Sequence, residues 1–70
     1  MAITAEEVKK MWETNKNYVA HQLGEALRDF GYSSITDDWT KIEIERLYAG
    51  GDAKAGPSMF IANWLKDGID

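Results

Sequence analysis

An all-α fold, a compact bundle of three or four short helices forming one domain over residues 1–70, is predicted by three observations. Apolar side chains recur at steps of three and four from Val8 to Phe30, and glycines and one proline fall where such runs stop. The one alternating stretch, Ile42-Glu43-Ile44-Glu45, is interrupted by Arg46-Leu47-Tyr48 and has no second strand to pair with.

The longest element opens at Thr4. Thr4 and Glu7 match a capping box, in which the hydroxyl accepts the N3 amide and the carboxylate reaches back to the cap amide. Val8, Met11, Trp12, Asn15, Tyr18, Val19, Gln22, Leu23, Ala26, Leu27 and Phe30 then trace one helical face, and Gly31 supplies a left-handed stop. The opposite face is polar, with Lys9, Glu13, Asn17, His21, Glu25 and Arg28. A continuous helix over this stretch would be about 39 Å long, whereas a compact chain of this size is about 28 Å across. The stretch therefore either bends, near Asn15 to Asn17 or at Gly24, or overhangs the domain and packs on a second chain. Asn15 and Gln22, polar within the stripe, fit both, as markers of a bend or as residues that set register in a helix pair.

Ser34, Thr36 and Asp37 offer N-caps for a second helix, Asp37 to Ala49, which Gly50-Gly51 ends. At about 100° per residue, Trp39 and Ile42 lie on one side and Ile44, Leu47 and Tyr48 on another, so this helix is apolar over more than one face. A small-residue connection follows, and Pro57 at N1 opens a third helix, with Phe60, Ile61, Trp64 and Leu65 as its stripe and Gly68 at its end. Trp12, Trp39 and Trp64, one in each segment, are expected to be pillars of a single core, or one of them is an exposed anchor for a partner.

With no cysteine among its 70 residues, the fold rests on apolar packing rather than on disulfides or a Cys-ligated metal, and the 44% hydrophobic content is ample for that. The net charge of −4 combines 12 acidic with 8 scattered basic residues. No Lys/Arg cluster is available to displace counterions from phosphates, so nucleic acid is not an expected partner. No apolar run approaches the about 20 residues that span a bilayer, so no membrane partner is expected and the chain reads as cytoplasmic.

The loop from Gly51 to Ser58 approaches the phosphate-binding pattern G-x-x-x-x-G-K-[ST], but Pro57 stands where the lysine belongs and no strand precedes it. What survives is an anion or small ligand at Lys54, Gly56 and Ser58, where the third helix begins with free amides. His21 with Glu25 and Asp29 puts an imidazole and two carboxylates on one helix side, short of the donors a tight metal site wants, so no metal or cofactor is expected. One histidine and no cysteine cannot assemble a nucleophilic triad, and Asp37-Asp38 serve a helix start more naturally than acid catalysis. The sequence thus reads as a small non-enzymatic protein-protein interaction module, a homodimer or an adaptor. Ile44, Leu47 and Tyr48 are its expected interface, together with the overhang of the first helix. The alternative is the anion or small-ligand binder.

Overall fold

Asn15 decides the length question. The computed structural model describes residues 2–70, and in it the N-terminal stretch is two helices, α1 (Ala5–Thr14) and α2 (Lys16–Phe30), followed by α3 (Asp37–Tyr48) and α4 (Pro57–Asp67). Asn15 ends one helix and starts the next. Its amide donates to Met11 O at 2.8 Å, its backbone leaves the helical region (φ −151°, ψ 86°), and its side-chain oxygen accepts the Tyr18 amide at 3.2 Å. Asparagine suits both duties because its short amide competes with the helix for backbone partners. The bend lets the chain close within 27 × 27 × 20 Å, and no helix overhangs it.

The other boundaries follow local chemistry. Thr4 and Glu7 form both capping-box bonds, at 3.1 and 3.0 Å. Gly31, at φ +127°, completes a Schellman ending of α2, with its own amide on Arg28 O and that of Tyr32 on Leu27 O. Thr36 caps α3 by accepting the Trp39 amide at 3.0 Å, and Pro57 opens α4 behind Gly56. Past α4, Ile3 and Ile69 exchange two antiparallel backbone hydrogen bonds, at 2.6 and 2.7 Å. Gly68 between them has φ +88°, and a Cβ there would run into Ile3 O.

Packing centres on Leu27, Ile44 and Ile61, one from each of α2, α3 and α4 and all fully buried. Val8, Trp12, Val19, Ala20 and Leu23 extend the buried interior, while Trp39 and Trp64 are half-buried at the edge of the core. The most extensive helix pairing is α2 with α3. Gly24 makes this possible, because a Cβ there would lie 3.0 Å from Asp37 Oδ1 and 3.1 Å from Thr40 Oγ1. α1 packs on α2 and α4, and α3 on α4, but α2 and α4 are not a closely packed pair. That separation positions the groove described below.

Candidate interaction groove

Of the residues expected to bind an anion, Ser58 is committed internally. Ser58 is buried, its hydroxyl donates to Glu43 Oε2, and it accepts the Lys54 amide at 3.1 Å. Glu43 is also buried and takes Arg46 Nε at 3.0 Å and Nη2 at 2.6 Å. The carboxylate that the start of α4 attracts is therefore the chain's own. The Arg46 hydrogen bonds, against the opposing effect of burial and with help from the Ser58 hydroxyl and the charges of Arg46 and Lys54, hold the Glu43 carboxyl below its ordinary range. Gly56, at φ +90°, provides the turn into α4.

The expected partner face on α3 needs a correction. Ile44 is fully buried between helices and offers no surface to a partner. Leu47 and Tyr48 are half-buried against the same core, and Tyr48 stacks obliquely on Trp12 at 6.1 Å beneath Lys9. The Ile44, Leu47 and Tyr48 side of α3 is covered by neighbouring helices, whereas Ile42, on its other apolar side, is 66% exposed.

His21 reaches across to α3 rather than collecting ligands along α2. Its Nδ1 lies 2.7 Å from Asp37 Oδ2 and its Nε2 lies 3.6 Å from Glu25, while Arg28 Nη2 approaches Asp37 Oδ1 at 3.0 Å. The hydrogen bond to His21, then that to Arg28, holds the Asp37 carboxyl below its usual value against desolvation. Asp29 does not join this cluster. Among the described residues no group of three or more His, Cys, Asp and Glu side chains is arranged to hold a metal, and no helix is long and apolar enough to cross a membrane.

The single apolar stripe of the N-terminal stretch divides into two rows. Val8, Trp12, Val19, Leu23 and Leu27 enter the core, whereas Met11, Tyr18, Gln22, Ala26 and Phe30 line its outer edge. Beside that edge, between α2 and α4, lies a hollow of about 250 Å³. Tyr18, Gln22 and Ala26 form one wall and Trp64 the other. Met11 of α1 and the Ile3–Ile69 pair close one end. Beyond Met11 and Tyr18 the surface continues as a shallower depression bounded by Glu7, Lys10 and Thr14.

At the opposite end the apolar surface runs on through aromatic rings. Trp64 meets Phe60 at 6.3 Å between ring centroids, Phe60 meets Phe30 at 4.7 Å, and Phe30 stacks on Tyr32 at 6.4 Å. Phe30 is 67% exposed, Tyr18 49% and Met11 37%. From Tyr18 to Phe30 the α2 edge is about 18 Å long, three turns of helix. The groove lies where Gln22 and Ala26 of α2 face Trp64 of α4, two helices that are not closely packed on each other.

Comparison with family models, with characterised proteins and with solved structures finds nothing that matches this chain. A functional reading therefore rests on the groove and its surroundings.

Proposed function

We propose that this chain is a non-enzymatic interaction module that receives an apolar helical segment of a protein partner in the α2–α4 groove. The observation that carries the reading is the exposed edge of Met11, Tyr18 and Phe30, joined through Trp64 and Phe60 into one surface. Single exposed apolar residues are ordinary, but a connected strip rich in aromatics is the composition of interface anchors. Its α2 wall, with side chains at four-residue intervals, suits an amphipathic helix laid alongside. The cytoplasmic setting expected from composition belongs to the same proposal. Anion binding at Lys54, Gly56 and Ser58 gains no support, since Ser58 already serves Glu43.

The test is an amide-shift titration of the isotopically labelled chain with a synthetic helical peptide carrying a leucine face and a neutral glutamine face. Saturable shifts at Met11, Gln22, Ala26, Phe30 and the Trp64 indole are expected, and they should disappear in Ala26→Lys, an exposed helical position that tolerates lysine without unfolding. Sedimentation equilibrium of the free chain settles whether a second copy takes the place of the peptide. A monomer whose groove residues do not shift overturns the proposal.

A further inference from the structure

Charge is segregated around this groove, and the segregation names the chemistry of what it binds. Exposed acidic residues stand one turn or one residue from its lining residues, and Glu7, which also accepts the Thr4 amide, lines the depression beside it. Asp29 follows Ala26 by three residues on the α2 edge, Asp67 follows Trp64 by three on α4, Asp70 adjoins Ile69, and Glu7 bounds the depression beyond Met11. All four are exposed. The basic residues are directed elsewhere. Lys9 lies over the Tyr48 ring at 5.9 Å, and Lys16 lies over Trp12 at 5.5 Å and 4.0 Å from Glu45. Arg28 holds Asp37 and the Ile35 carbonyl, and Arg46 holds Glu43. Lys66 lines a different hollow with Leu47 and Tyr48, on the far side of α4. Lys41 belongs to α3, which lines no part of the groove, and Lys54 sits in the loop before α4. Among the described side chains, Lys10 is the one base at the groove's margin, beside Glu7.

We infer that the occupant is a basic amphipathic helix, with leucine-like residues facing Ala26 and Trp64 and lysines or arginines along its flanks. This rests on the reading of the groove as a helix-binding surface and adds the sign of the partner's charge. An acidic rim around an apolar floor steers and orients a cationic helix and penalises an acidic one, including a second copy of this acidic chain.

Two synthetic peptides with the same leucine face, one with lysine and one with glutamate on the polar face, are titrated by calorimetry and amide shifts into the full chain. With each rim acid contributing as a solvent-exposed pair, the lysine peptide should bind about tenfold tighter at low salt. At about 0.5 M salt the preference should collapse, because the screening length falls to a few ångström. Asp29→Asn with Asp67→Asn should remove most of the preference. Asp52→Asn with Glu45→Gln, an equal change in net charge at residues that line neither the groove nor the depression beside it, should leave it in place. Equal binding of the two peptides, or a preference that follows net charge in both double variants, overturns the inference and leaves the groove reading standing. Failure of both peptides to shift the groove residues overturns the groove reading itself, and a free chain that dimerises through the groove overturns the basic partner.

Discussion

Replacing Glu43 with alanine should remove a large part of this protein's stability. In the native chain the carboxylate is buried, accepts two hydrogen bonds from Arg46 at 3.0 and 2.6 Å, and accepts the hydroxyl proton of Ser58. Without it, Ser58 Oγ still accepts the Lys54 amide but has no acceptor for its own proton, at a residue only 3% exposed. A stranded buried donor costs about 1–3 kcal/mol and the loss of bonds to a charged group about 1.5–3 kcal/mol. Arg46, whose side chain is 33% exposed, recovers hydration and offsets part of this. The expected net loss is about 2–4 kcal/mol, out of about 4–10 kcal/mol for a domain of this size.

Urea unfolding followed by far-ultraviolet circular dichroism and tryptophan emission measures the loss as a lower midpoint at unchanged slope. Its pH dependence has a definite sign. The folded-state pKa of Glu43 lies below its ordinary value of 4.5, so its contribution is complete above that value and fades as pH falls through the folded-state value. The gap between parent and Glu43→Ala should therefore narrow in acid, and Glu43→Gln, which keeps the volume, should fall between the two at neutral pH. A neutral-pH gap under about 0.5 kcal/mol, or one that is equally wide at about pH 3, would refute this account of the cluster.

Two further substitutions test the local arguments by the same unfolding measurement. Asn15→Ala deletes the side-chain cap on the Tyr18 amide and should cost about 1 kcal/mol, although alanine has the higher helix propensity; a stabilised variant would mean that the break is not maintained by this cap. Gly24→Ala, at a helical site where alanine ordinarily gains about 0.5–1 kcal/mol, should instead destabilise, because its Cβ lies 3.0–3.2 Å from Asp37, Thr40 and Arg28; a gain in midpoint would show that these side chains move aside easily.

The helix boundaries were legible because each rests on residues adjacent in sequence. Thr4 with Glu7, Gly31, Thr36 and Pro57 act through hydrogen bonds and dihedral preferences that reach at most a few positions. The break at Asn15 was legible only beside two alternatives, a bend at Gly24, through which α2 in fact continues, and an overhanging helix, since a polar residue within an apolar stripe suits a cap and a coiled-coil register equally well. Ile44 was misplaced because periodicity reports how many faces of α3 are apolar but not how many neighbours will cover them. The Glu43–Arg46 spacing of three was a visible sign of an ion pair, whereas Ser58 joins from 15 residues away and leaves no local trace. Phe30, Tyr18 and Met11 looked like core for a similar reason. A stripe wide enough for two rows was read as one, and the gap that exposes the outer row is a property of how α2 and α4 are spaced.

The two hydrogen bonds between Ile3 and Ile69 join the most widely separated paired residues of the chain. Packing of α1 on α4 already brings these segments together, but the bridge has no neighbouring ladder to support it, so it opens at a lower free energy than the helices it adjoins. Both residues also wall the groove. The width of that end is consequently set by a fluctuation that leaves the bundle intact, and a seated helix would register as slowed exchange of two amides some distance from the aromatic end it also covers.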